Sequence, residues 1–283
     1  MAVTALLDAL VAFAARHGIR VDDPVVLGDT SNIVVHLRPA PVVARVPFIT
    51  ALGRDRPDVG LARELALATH LDQVGIPTIP PSDELPPGPH RLPNGRWVSF
   101  MQYVPLAPVS DTDAAAVGER LDELVIAASA LADTGAVFDR SLVDETGVAL
   151  DRLAGRIAAP DLELLRGWAA DAGIGATGDA QPLHGDPHRQ NVGRRADGEL
   201  VWFDFDDGVR DSPLVDLATL LRNWPTAGRV ACERRGVDPD GPEMAAYLAQ
   251  RAMWGGVWSQ YFATEVGGRW TVEAADVLAA RRG

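Results

Sequence analysis

The sequence predicts an α+β chain in two lobes, with a small antiparallel sheet in residues 1–103 and a mainly helical portion in residues 104–283. Three observations carry that prediction. Short β-branched runs separated by turn residues crowd the first hundred positions. Apolar residues at helical spacing dominate most of the remaining chain. Between the two, Val104-Pro105 ends a strand and opens a new segment, because proline has no N–H for the ladder.

In chain order, Leu6, Leu7, Leu10 and Phe13 predict a first helix. Pro24-Val25-Val26-Leu27, a turn at Gly28-Asp29, and Ile33-Val34-Val35-His36-Leu37 read as a strand hairpin. Val42-Val43-Ala44-Arg45-Val46 is a third strand. From Val59 to Val74, Leu61, Leu65, Ala68 and Leu71 predict a helix that Gly75 and Pro77 stop. Seven prolines between Pro77 and Pro93 make the next stretch extended and turn-rich. Asn94-Gly95 is a turn signal leading into a strand from Arg96 to Tyr103. Beyond Pro105, Asp113–Asp133 is a long helical segment whose start at Asp111-Thr112-Asp113 offers capping oxygens. Further helices are expected over Leu142–Ala158, Asp161–Ala172, Leu214–Trp224, Pro242–Phe262 and Thr271–Arg281. Asp197-Gly198 is a turn between two short strands. There is no internal repeat.

Composition narrows the function. The formal net charge is −13, and all 26 basic residues are arginine, since the chain has no lysine. An acidic surface argues against nucleic acid as a partner. The single cysteine, Cys232, excludes an intrachain disulfide and a cysteine-cluster metal site. No run is long and apolar enough to span a bilayer, and Asp8 interrupts the N-terminal apolar stretch. The expectation is a cytoplasmic protein with no membrane partner.

The most informative stretch is His184-Gly185-Asp186-Pro187-His188-Arg189-Gln190-Asn191, followed by Phe203-Asp204-Phe205-Asp206. Phosphoryl transfer needs a group that positions the attacking hydroxyl and oxygen ligands for magnesium on the phosphates. Asp186 suits the first role; Asn191 and Asp204 suit the second, provided the Asp197-Gly198 turn brings them together. Kinase catalytic loops share this spacing of Asp, Asn and a later Asp.

The ordered set, with Asp216-Leu217-Ala218 beyond it, resembles the aminoglycoside phosphotransferase family from about Leu27 to Trp224. That family has a protein-kinase-like fold and includes choline, homoserine and other small-molecule kinases. The resemblance implies transfer of the γ-phosphate of ATP or GTP, with Mg²⁺, to a hydroxyl of a small molecule. It implies Asp186 as the residue orienting that hydroxyl, and Asn191 and Asp204 as magnesium ligands. Arg45 and Glu64 stand where the family pairs a phosphate-gripping lysine with a helix glutamate. The arginine is a departure, because a planar fork does not simply replace a point charge. Ser31, in the turn Gly28–Asn32, stands at the phosphate-covering loop, although no G-x-G-x-x-G is present. Gln102, Tyr103 and Val104 stand at the hinge whose main chain would hold the base.

The remaining residues carry weaker expectations. Asp206 is a further candidate carboxylate near the metal, and Asp207 reads as a solvated neighbour. His184 and Asp216 read as braces of the loop, and His188 as an exposed loop histidine. Trp254 and Trp258, four apart, suit one buried helix face, with stacking on a substrate as the other reading. Asp207, Asp211, Asp238, Asp240 and Glu243 read as a solvated run, with a ring around an amine-bearing acceptor as the other reading, and Arg281-Arg282 speaks against an aminoglycoside in particular. A different class of function remains open: a catalytically silent nucleotide-binding regulatory or scaffold protein, motivated by Arg45 and the weakly marked phosphate loop. A third is metal-dependent hydrolysis by a cluster of His184, Asp186 and His188.

Overall fold

The computed structural model describes residues 3–131, 137–175 and 179–282. Helix α1 (Val3–Arg16) buries Leu6, Leu10 and Phe13 against an antiparallel sheet. Its strands are β1 (Val21–Asp29), β2 (Asn32–Pro39), β3 (Val42–Pro47), β4 (His90–Arg91) and β5 (Trp97–Gln102), in the spatial order β1-β2-β3-β5-β4. Side chains alternate across β3 as a pleated strand requires. Val42, Ala44 and Val46 enter the core beneath α1, while Val43 and Arg45 face a cleft on the other side. Arg45 sits mid-sheet, opposite Val34 on β2 and Ser99 on β5.

Between β3 and β4 lie α2 (Thr50–Gly53) and α3 (Pro57–Gln73). Pro57 opens α3, where a missing N–H loses no intrahelical bond. The predicted Leu61, Leu65, Ala68 and Leu71 are buried, and Glu64 is buried with them.

The C-terminal lobe contains β6 (Ala107–Pro108), α4 (Ala114–Ala128), α5 (Leu142–Leu153) and α6 (Ala159–Ala172). It continues through β7 (Gln181–Pro182), β8 (Val192–Arg194), β9 (Leu200–Trp202) and β10 (Arg210–Asp211). Four helices complete it: α7 (Leu214–Asn223), α8 (Pro225–Arg234), α9 (Pro242–Glu265) and α10 (Arg269–Arg282). The helix expected over Asp113–Asp133 ends at Ala128; Ala132 and Asp133 lie outside the described residues. The one expected over Leu142–Ala158 stops at Leu153, just before Gly155 turns with a φ of 78°. Helix α8 and the short α2 carry no expectation from sequence.

This is the two-lobed α+β architecture the sequence predicts. One core lies between α1 and the sheet. A second joins α3, α4, α7 and α8 to the β8–β9 hairpin, and a third packs α5 and α6 on α9. Among the described residues no helix is long and apolar enough to cross a membrane.

Candidate active site

The loop from His184 to Asn191 is fixed from below. Asp216, in the first turn of α7, accepts the N–H groups of His184 and Gly185, each at 2.9 Å. His184 is fully buried, edge-on to Trp202 and Phe205. Burial lowers its pKa to about 4, so it stays neutral and packs rather than shuttling protons. Gly185 is required outright: its φ is +86°, and a Cβ there would lie 1.9 Å from the Asp207 carbonyl oxygen. With His184 behind the loop, the hydrolytic cluster with Asp186 and His188 does not assemble.

Asp186 leaves 19 % of its side chain accessible. Arg251 Nη2 donates to its Oδ1 at 2.9 Å, and His188 Nε2 lies 3.3 Å from its Oδ2. His188 Nδ1 accepts the Gln190 N–H at 3.1 Å, which directs a proton on Nε2 toward Asp186. Burial would raise the Asp186 pKa, but His188 and Arg251 outweigh it and hold the carboxyl below its ordinary range. Conversely, burial would lower His188, but Asp186 holds it above its ordinary value. His188 is therefore a partner of Asp186, not the exposed loop residue expected from sequence.

The hairpin of β8 and β9 brings the next two residues together. Val192 pairs with Trp202, and the Phe203 N–H donates to the Asn191 carbonyl at 3.0 Å, so Asn191 and Asp204 flank one end of the ladder. Asn191 gives its Nδ2 to the Asp186 carbonyl at 2.9 Å, which leaves its side-chain oxygen to face elsewhere. Asp204 has a φ of 70°, the one positive value at a non-glycine among the described residues. Such strain persists only where the surroundings enforce it.

Around Asp204 charges crowd. Arg45 reaches past Glu64, 3.5 Å away, to bond Asp204 and to meet Asp206 at 2.9 Å. An arginine spans three carboxylates here because its fork carries several donors. Asp206 also receives Asn32 Nδ2 at 3.1 Å and Arg54 Nη1 at 3.3 Å, while Arg54 bonds Asp207. Asp207 is thus ion-paired and half-buried, not the solvated neighbour expected. Burial, with Asp206 and Asp207 adding repulsion against Arg45, pushes Asp204 up to about 7. Burial would likewise raise Asp206, but Arg45 and Arg54 hold it well below its ordinary value. Glu64 is pushed up to about 8 by burial, against the pull of Arg45.

Three cavities meet along these residues. The first, about 220 Å³, is lined by Arg45, Glu64, Gln102, Tyr103, Val104 and Asp204 among others. The second, about 390 Å³, is lined by Ser31, Asp186, Asn191, Asp204 and Asp207. The third, about 700 Å³, opens beyond Asp186 and His188. Asp204 borders the first two, and Asp186 the last two. The backbone of the first narrows one expectation. The Gln102 and Tyr103 N–H groups already donate to the Pro80 and Pro41 carbonyls at 3.0 and 2.8 Å, so a base would draw on the carbonyls and on the Val104 N–H.

The donor set fits a hard divalent cation. Asn191 and Asp204 offer oxygens on one cavity, and an added positive charge would relieve the crowding of Asp204, Asp206 and Asp207. Among the described residues no three His, Cys, Asp or Glu side chains form a metal site by themselves. A cation here would take its other ligands from phosphate oxygens and water.

Sequence reading missed Asn32, Arg54 and Arg251. Arg251 alone left a trace: it sits in an apolar run of α9 with Tyr247, Leu248, Trp254 and Gly255 at its helical neighbours, so its counter-charge had to come from another element. The acidic residues do not form a ring. Asp211 is buried and accepts the Leu142 and Ser212 N–H groups, and Asp240 pairs with Arg229. Trp258 packs in the third core and also borders the second cavity, while Trp254 packs against the same core and lines both the second and third cavities.

A family model described as the phosphotransferase enzyme family matches residues 24–254. The chain belongs to that family. Its phosphotransferase fold is shared with solved structures at low identity. The GDP complex of wild-type aminoglycoside 2′-phosphotransferase-IIIa is 15% identical, with 98% of this chain and 97% of that one covered and a TM-score of 0.63. The choline kinase LicA from Streptococcus pneumoniae is 15% identical over 92% and 94%, with a TM-score of 0.60. A choline/ethanolamine kinase family protein from Mesorhizobium loti is 17% identical over 92% and 87%, with a TM-score of 0.56. No curated protein matches this phosphotransferase by sequence.

Proposed function

We propose that this phosphotransferase moves the γ-phosphate of ATP or GTP, with Mg²⁺, onto a hydroxyl of a small molecule. Residues 1–103 form the nucleotide-binding lobe and residues 104–283 the catalytic and acceptor-binding lobe. The observation that carries the reading is the continuity of the three cavities. The slot bordered by Gln102, Tyr103 and Val104 takes the base, and Arg45 and Glu64 flank the path of the phosphates. Ser31 lines the cavity between Asp204 and Asp186, where the terminal phosphate would lie.

Asp186 accepts the acceptor's hydroxyl proton in a hydrogen bond and aims its oxygen. Held below its ordinary pKa, it is a weak base, so its contribution is orientation more than proton abstraction. Its four lone-pair sites leave room for a hydroxyl beside Arg251 and His188. Asn191 and Asp204 would hold magnesium, which would neutralise charge on the transferring phosphate. Arg45 lines the slot and would offer its guanidinium to phosphate oxygens there.

The test is an ADP-release screen over sugars, amino sugars, choline-like alcohols and hydroxy acids, with Asp186→Ala and Asp204→Ala as controls. Acceptor-stimulated ADP formation should fall about 10²-fold or more in Asp186→Ala as the hydroxyl loses its alignment. No stimulation above that control by any acceptor would refute the reading. The grip of Arg45 on Asp204 favours one alternative, a silent nucleotide-binding protein whose metal site is closed by its own cation. Nucleotide binding that ignores Mg²⁺ would select it.

A further inference from the structure

We propose that the acceptor is an anionic alcohol, presenting its hydroxyl to Asp186 and a carboxylate or phosphate to the arginines beyond. This rests on the phosphotransferase reading above and names the substrate class for that site. The 700 Å³ cleft inverts the charge of the whole chain. Four arginines line it, Arg189, Arg222, Arg251 and Arg281, against two acidic residues, Asp186 and Glu273. The chain as a whole carries −13.

The arginines are not equally available. Arg189 pairs with Asp111 at 2.8 Å and stacks on Trp224. Arg222 and Arg281 have no carboxylate partner among the described residues. Arg251 is 4% exposed; its Nη2 holds Asp186, but its Nη1 is buried without a hydrogen-bond partner. Nη1 has no accessible surface, so Arg251 acts on the cleft through its charge rather than through a free donor. Guanidinium groups match carboxylate and phosphate oxygens in geometry as well as charge.

The aromatic walls argue against a cationic acceptor. Trp254 and Trp168 line the same cleft, and each is already covered by a guanidinium, Arg251 at 4.3 Å and Arg281 at 4.2 Å from the ring centroids. An ammonium group would have to displace an arginine to reach the covered face of either ring, against like-charge repulsion. The carboxylates of Asp204 and Asp207 lie in the adjoining cavity, on the side assigned to the phosphates.

The experiment compares four six-carbon polyols that differ at one end: sorbitol, gluconate, sorbitol 6-phosphate and glucamine. Binding is measured by calorimetry on the ADP-loaded protein, and turnover by ADP release from Mg·ATP. Gluconate or sorbitol 6-phosphate should bind about 10-fold or more tightly than sorbitol and glucamine, with affinity falling as salt rises. Which of the two leads distinguishes a carboxylate from a phosphate. Arg222→Gln and Arg281→Gln, both at exposed positions, should each raise the KM of the anionic probe about 10-fold and leave kcat near its starting value. Sorbitol or glucamine binding as well as the anions, arginine variants that change kcat instead of KM, or no binding by any of the four would overturn the proposal. Mg²⁺-dependent nucleotide binding, measured alongside, separates the two failures: if it is present, only this inference falls; if it is absent, the phosphotransferase reading falls too.

Discussion

Arg45 holds Asp204 and Asp206 while facing Glu64, so its removal would leave a group of buried carboxylates short of one cation. Breaking a buried ion pair from one side is strongly destabilising. Arg45→Ala should therefore lower stability by about 3 kcal/mol, read as a shift in the urea midpoint with unchanged slope. The pair of His188 and Asp186 has a pH signature. His188, raised above its ordinary value, stabilises the fold fully below about pH 6.5 and loses that contribution as pH rises through the raised pKa. Asp186, held low, contributes fully above about pH 3.9 and loses it as pH falls through its depressed value. The stability difference between the wild type and His188→Gln should be largest near pH 5 to 6 and shrink by about pH 8. A difference that stays constant over that range would contradict the pairing.

Among the elements, the loop and its brace are the least forgiving. Gly185→Ala forces a side chain into a left-handed backbone and against the Asp207 carbonyl, so it should cost at least about 1–3 kcal/mol in a denaturation experiment. Asp216→Ala orphans two buried N–H groups, those of His184 and Gly185, at about 1–3 kcal/mol each. Because Asp216 touches only the backbone of the loop among its hydrogen-bond donors, Asp216→Asn should fold better than the alanine variant while still reducing turnover, measured as kcat. These elements were also the ones most legible in the sequence. The Asp197-Gly198 turn fixes the register of the β8–β9 hairpin, and that register sets Asn191 beside the residues just after β9. Helix α8 was not legible. Its apolar residues, including Ala227, Ala231 and Cys232, are few and small, and it is defined by close packing: a Cβ on Gly228 would lie 2.2 Å from the Leu221 backbone.

For the whole molecule, periodicity revealed both lobes because each buries a regular apolar face, on α1 and β3 in one and on the long helices in the other. It could not reveal the partners of the site. Asn32 and Asp206 are 174 residues apart, Arg54 and Asp207 153, and Arg251 and Asp186 65, and no local pattern encodes such meetings. Nor does it show that arginine gathers on one wall of an acidic protein. The placement of Trp168 and Trp254 on that wall, each under a guanidinium, makes the cleft optically observable. Indole emission responds to nearby charge and hydration, so filling the cleft should shift the intrinsic fluorescence of the unlabelled protein. Trp254→Phe should diminish that shift, and an unaltered signal would show that the ligand sits elsewhere. A titration could thus follow occupancy in real time, without any coupled assay or attached dye.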